Sequence, residues 1–119
     1  MADILKRLSE IGIVPVIALD DAEQAVPLAK ALIAGGLPAA EVTFRTEAGE
    51  EAIRRIAQAC PEIVLGAGTV LNVDQCSRAI RAGARFIVSP GYDQAVVDQC
   101  LEEGITVLPG CGAVSDLTR

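Results

Sequence analysis

Apolar residues along this chain follow two alternating patterns. Short β-branched runs read as strands, and longer stretches with apolar residues every three or four positions read as helices. After a leading helix, Ile13–Leu19 predicts the first strand, and Asp20-Asp21 at its end can cap a helix over Ala22–Ala34 that Gly35-Gly36 stops. Ala40–Phe44 predicts the second strand, followed by a helix near Glu47–Ala59. Ile63–Leu65 predicts the third, running into Gly66-Ala67-Gly68-Thr69 and then a helix over about Val73–Ala82. Phe86–Ser89 ends at Pro90-Gly91 and precedes a helix near Asp93–Glu103, and Thr106–Leu108 ends at Pro109-Gly110. Ser115 has the position of an N-cap for one more helix.

The five strands start near positions 14, 40, 63, 86 and 106, so a βα unit recurs every 20 to 26 residues. Strict alternation of this kind predicts an α/β fold with a parallel sheet and right-handed crossovers. No shift in period or composition marks a boundary, so residues 1–119 are expected to form a single domain. Two architectures fit: a doubly wound open sheet, or part of a (β/α)8 TIM barrel. In both, ligands gather at the C-terminal ends of the strands. The second strand favours the barrel. Side chains alternate across it, placing Glu41, Thr43 and Arg45 on one face and Val42 and Phe44 on the other. With helices covering the apolar face, Glu41 and Thr43 point into a barrel interior, where a carboxylate is costly unless paired or used.

Composition narrows the function. The chain has 119 residues, 51% of them apolar and 22% charged, which excludes global disorder. No apolar run reaches the roughly 20 residues that span a bilayer, and the N-terminus has an early acid and no long apolar stretch, unlike a signal peptide. A soluble, cytoplasmic protein without a membrane partner is expected. A net charge of −6 and 3% aromatics argue against nucleic acid as a partner. There is no histidine, which excludes His-dependent triads and dyads. The four cysteines, at 60, 76, 100 and 111, form no CxxC pair, so no metal site is expected. Cys60, Cys76 and Cys100 read as small buried hydrophobes, and Cys111 stands out for its glycine-rich loop.

Among candidate chemical groups, Glu41 and Arg45 lie about 13 Å apart along an extended strand, too far for simple neighbour contact but able to converge on one ligand. On a helix the same spacing would be a surface salt bridge. Gly66-Ala67-Gly68-Thr69 is either a tight βα turn or a place where a ligand approaches backbone, with the Thr69 hydroxyl free to bind a carboxylate. A dinucleotide fingerprint would need glycine at position 71, which is Leu71, so that reading fails. No Walker-type phosphate loop is present. The acid pairs Asp20-Asp21, Glu50-Glu51 and Glu102-Glu103 fit helix ends and solvated faces.

Five collinear segments then carry a resemblance. Val14-Pro15-Val16-Ile17, Glu41-Val42-Thr43-Phe44-Arg45-Thr46, Gly66-Ala67-Gly68-Thr69-Val70, Phe86-Ile87-Val88-Ser89-Pro90-Gly91 and Pro109-Gly110 together resemble the 2-keto-3-deoxy-6-phosphogluconate / 4-hydroxy-2-oxoglutarate aldolase family. The resemblance implies a (β/α)8 barrel, commonly trimeric, and a class I aldolase needing neither cofactor nor metal. Such an enzyme splits the phosphorylated keto-deoxy sugar acid into pyruvate and glyceraldehyde 3-phosphate in the Entner-Doudoroff pathway. It also implies cleavage of 4-hydroxy-2-oxoglutarate to pyruvate and glyoxylate. By position, Glu41 matches the acid/base carboxylate that moves protons through an active-site water. Arg45 matches the arginine near the pyruvyl carboxylate and the Schiff-base lysine, Thr69 a residue binding that carboxylate, and Pro90 a position at the pyruvate site.

The family's Schiff-base lysine lies on a sixth strand, in a Lys-Phe-Phe-Pro-like stretch that this sequence does not contain. Its only lysines are Lys6 and Lys30, both predicted on helices. The chain therefore resembles about the first five β/α units of the barrel, since a whole one takes about 200 residues or more. A fragment, inactive by itself in aldol cleavage and complemented by the missing C-terminal half, is expected. The other readings are a non-catalytic half-barrel assembly module, an aldolase for the phosphogalactonate analogue, and a different phosphate-binding barrel such as a phosphosugar epimerase.

Overall fold

The computed structural model describes residues 2–45 and 47–112. Helix α1 (Ala2–Ile11) leads into β1 (Val16–Ile17), a short 3₁₀ turn (Ala22–Gln24) and α2 (Ala25–Ala34). Four further strands and three helices alternate after it: β2 (Ala39–Thr43), α3 (Ala48–Ala59), β3 (Val64–Gly68), α4 (Val73–Ala82), β4 (Phe86–Ser89), α5 (Gln94–Glu103) and β5 (Thr106–Pro109). The strands form one parallel sheet in the order β1-β2-β3-β4-β5, each next to its sequence neighbour. This is the order expected of consecutive units of a barrel. The helix predicted from Ser115 lies outside the described residues.

Two packing layers follow from the alternation of side chains. Ala40 and Val42 of β2, Leu65 and Ala67 of β3, and Ile87 of β4 face the helices and are buried with Ala29, Ile53, Ile56, Ala79, Val96 and Cys100. On α3 this works because Ala52, Ile53 and Ile56 share one stripe, while Glu50, Glu51, Arg54 and Arg55 face outward. Arg78 of α4 reaches across to Glu50, extending a surface ladder of ion pairs between α3 and α4. On the other face of the sheet, Ile4 and Leu8 of α1 pack on Ala39, Val64 and Phe86, with Ile11 beside them. Helix α1 thus covers the inner face toward the N-terminal ends of the strands and leaves the C-terminal ends open.

Two elements differ from the sequence expectation. The first strand shrinks to two residues. It is an edge strand, and Pro15 has no N–H to donate, although its carbonyl accepts from Glu41 N at 2.9 Å. The helix predicted from Ala22 begins as a 3₁₀ turn capped by Asp21, whose carboxylate accepts from Glu23 N at 2.9 Å. Pro27 lacks the N–H that would bond four residues back, so the regular α ladder starts late. Helices α4 and α5 start at the N-caps Asn72 and Asp93, each accepting a backbone N–H.

The glycines of the third strand differ as well. Gly66 and Gly68 belong to β3 itself, not to a turn after it. Gly66 is paired in register with Glu41 on one side and Phe86 on the other, and a Cβ on Gly66 would run into the Phe86 ring. That ring is fully buried. Three cysteines are buried as expected, and Cys76 and Cys100 meet between α4 and α5 with their sulfurs 3.6 Å apart. Burial pushes the Cys100 thiol up to about 12, which keeps it unreactive. Among the described residues no helix is long and apolar enough to cross a membrane.

Overpacking against a buried ring makes a testable prediction. Gly66→Ala lowers the unfolding free energy by about 1–3 kcal/mol in urea denaturation. Gly91→Ala, where an added Cβ meets nothing within 4 Å, stays within about 0.5 kcal/mol of wild type.

Candidate active site

Glu41 stands in the middle of β2, on the inner face with Ala39 and Thr43. Its side chain leans toward the C-terminal end of the neighbouring strand and lies over Gly68. The carboxylate occupies the space a Cβ on Gly68 would take. Gly68 thus serves as a cradle, and any larger residue there would displace the carboxyl group. Burial raises the Glu41 pKa above the ordinary carboxylate value, and the positive charge of Arg45 partly offsets this. Arg45 lies in the turn after β2 and is exposed. The coupling acts through space, with no hydrogen bond between the two, as their separation along the strand suggests.

Thr69 follows the cradle at the end of β3. It is the one non-glycine among the described residues with a positive φ, 55°. A β-branched residue rarely adopts this left-handed conformation, at a cost of about 1–3 kcal/mol, and such strain gathers at functional sites. The strand ends on either side are tied to it: Phe44 N donates to Gly68 O at 2.9 Å, and Val70 N to Val88 O at 3.2 Å. Glu41 lies on β2, Arg45 in the turn after it and Thr69 at the end of the neighbouring β3, and of these only Arg45 is linked to Glu41, through its charge.

Pro90 lies one strand farther on, after β4. It lines a cavity of about 250 Å³ with Val70, Leu71, Ser89 and Tyr92. Arg45 lines another, of about 230 Å³, between the starts of α3 and α4. A larger cavity of about 350 Å³ opens at the opposite end of the strands, around Cys60, Ile63 and Arg85, far from the carboxylate. Shape alone would favour that one, but it lacks the convergent polar groups of a reacting centre. Cys111 is exposed in the loop after β5. Lys6 and Lys30 are exposed on α1 and α2, away from the strand ends.

Sequence reasoning placed Glu41 and Thr43 on the inner face but missed the partnership of Glu41 with Gly68. The signal was present in the paired glycines. Parallel register is what brings Gly68 alongside Thr43, two residues beyond Glu41.

A family model described as KDPG and KHG aldolase matches residues 4–119. The chain belongs to the KDPG and KHG aldolase family. It is 46% identical over its whole length to the 2-dehydro-3-deoxy-phosphogluconate aldolase of Treponema pallidum, covering 57% of that protein. In three dimensions it resembles the 2-keto-3-deoxy-6-phosphogluconate aldolase of Zymomonas mobilis ZM4, solved with 3-phosphoglycerate. The TM-score is 0.89 at 38% identity, over 99% of this chain and 56% of that one. The KDPG aldolase of Legionella pneumophila, with pyruvate captured at low pH as a covalent carbinolamine intermediate, matches with a TM-score of 0.84 at 38% identity. That match covers 88% of this chain and 51% of the Legionella protein. The chain spans little more than half the length of these family members. Its five parallel β/α units correspond to part of their TIM-barrel type fold.

The raised pKa of Glu41 sets a sign for stability. A carboxyl group whose pKa is higher folded than unfolded favours folding in its protonated form. That contribution is full below the ordinary value of 4.5 and is lost as pH rises through the folded value. Glu41→Gln removes the ionisation cost. The variant unfolds at a higher temperature than wild type near neutral pH, and the difference closes below about pH 4.5 in thermal melts across pH.

Proposed function

We propose that this chain forms the proton-handling part of a class I aldolase that cleaves 2-keto-3-deoxy-6-phosphogluconate to pyruvate and glyceraldehyde 3-phosphate. On the same reading it cleaves 4-hydroxy-2-oxoglutarate to pyruvate and glyoxylate. The observation that carries this is the Glu41 carboxylate held over Gly68 with its pKa raised by burial, an effect partly offset by the charge of Arg45. General acid–base catalysis works best with a pKa near the operating pH, and desolvation moves a glutamate in that direction. In this reading Glu41 takes and returns protons through the active-site water. Arg45 and Thr69 hold the pyruvyl carboxylate, and Pro90 shapes the wall of the pyruvate site.

Carbon–carbon cleavage of this class runs through an imine on a lysine, which serves as the electron sink. Lys6 and Lys30 sit on helices away from the strand ends, and the resemblance implies a nucleophile on a sixth strand outside residues 1–119. Residues 1–119 act as one partial-barrel domain completed by that sequence, in a cytoplasmic homo-oligomer, a trimer as the resemblance implies. The reaction needs no metal or cofactor. The overlap of the Glu41 carboxylate with the Gly68 cradle favours a catalytic reading over a non-catalytic assembly module, which has no use for a desolvated carboxylate.

Intact-mass spectrometry after incubation with pyruvate and borohydride tests this. The 119-residue chain alone stays unmodified. A polypeptide that continues it through a sixth strand with a lysine gains one reduced pyruvyl group. In that longer polypeptide, Glu41→Gln lowers kcat for aldol cleavage by about 10²–10⁴-fold. An adduct on the 119-residue chain by itself would refute the assignment of the nucleophile.

A further inference from the structure

Thr43 is 1% exposed, and its Oγ1 has no hydrogen-bond partner among the described residues. Gln99 Oε1 is also without a partner, but its amide is anchored by donation from Nε2 to Ser77 Oγ at 2.6 Å. Thr43 has no second polar atom to anchor it. A buried hydroxyl without a partner costs free energy, and a valine of the same shape would avoid that cost. Its position shows what it can serve. Thr43 follows Glu41 by two residues on the same inner face, since Val42 between them faces the helices. It is paired in register with Gly68, the residue whose missing side chain makes room for the Glu41 carboxylate. The hydroxyl and the carboxylate therefore flank the same cradle.

We propose that Thr43 is a positioning residue for Glu41, its hydroxyl donating a hydrogen bond to the carboxylate through one water molecule. This deepens the reading of Glu41 as the acid/base group and rests on it. The charge of Arg45 already lowers the Glu41 pKa against burial, and donation from Thr43 to the ionised form would add to that effect. Among the described residues, no other charged group on the strands faces the carboxylate. β1 presents Val16, β3 presents Val64 and Gly66, β4 presents Phe86 and Val88, and β5 presents Thr106 and Leu108. The charged residues of α1 (Asp3, Lys6, Arg7 and Glu10) belong to the helix that packs on Ala39, Val64 and Phe86. The hydroxyl is thus the neutral group best placed to tune the carboxylate.

The test is a carbon-detected NMR titration of glutamate side-chain carboxyls in the 119-residue chain, with the Glu41 signal assigned by its loss in Glu41→Gln. Thr43→Val shifts the Glu41 midpoint to higher pH, and Thr43→Ser restores it to the wild-type position. If Thr43→Val does not fold, Thr43→Ala reads the same midpoint. In the longer polypeptide with the lysine, Thr43→Val lowers kcat about tenfold with KM unchanged and moves the acid limb of the pH profile upward. Identical midpoints in wild type and Thr43→Val overturn the proposal, and a gain in melting temperature without a midpoint shift shows a packing role only. The titration needs no turnover. Loss of the acid/base reading, seen as full activity in Glu41→Gln, is therefore distinguishable from loss of the Thr43–Glu41 coupling.

Discussion

A carboxylate on the inner face of a parallel sheet has to find room on the strand beside it. Here β3 provides that room by carrying no side chain at two successive inward positions. Gly66 admits the Phe86 ring from one neighbour, and Gly68 admits the Glu41 carboxylate from the other. The two insertions come from opposite sides onto the same strand, so the order β2-β3-β4 is what the site depends on. Exchange either neighbour for another strand and the carboxylate loses its cradle or the ring its slot. Desolvation of Glu41 is the chemical consequence, and the raised pKa follows from it.

The rest of the fold serves to hold that register. The helix-facing side chains of β2, β3 and β4 lock into α3, α4 and α5, and a one-residue slip would turn Val42 inward and Glu41 into the apolar layer. Helix α1 closes the other end of the inner face with Ile4 and Leu8. The acids and arginines on α3 and α4 are half-exposed ion pairs of the kind that contributes little to stability. Packing rather than charge sets the architecture. The strained Thr69 backbone sits where β3 leaves this packed frame, between strand ends pinned by hydrogen bonds to their neighbours.

Much of this was legible in the residues. Period-two alternation in Ala40–Phe44 separates Glu41 and Thr43 from Val42 and Phe44 whatever the fold around them. The recurring βα spacing leaves few topologies for a parallel sheet. Phe86–Ser89 is a local signal, and it holds because a buried strand depends on the pattern of its own residues. The extent of β1 and the 3₁₀ start before α2 were not legible. Both involve prolines, which lack the N–H that a strand ladder at Pro15 or a helical bond four residues back at Pro27 would use.

The Gly66-Ala67-Gly68-Thr69 segment shows the boundary most clearly. Read along the chain, paired glycines signal a turn, because a turn is where glycine's freedom is most often needed. In three dimensions they are strand residues, chosen for what approaches them from two other strands. By itself the sequence determined the elements, the inward face of β2, the lack of histidine chemistry and the family resemblance. Each of these is a property of residue type and spacing. Only the tertiary structure decided that Glu41 lies over Gly68, that Thr43 is buried with a hydroxyl to spare, and that Arg45 acts on Glu41 without touching it. Those are relations of packing and register, set across the whole sheet rather than along one segment.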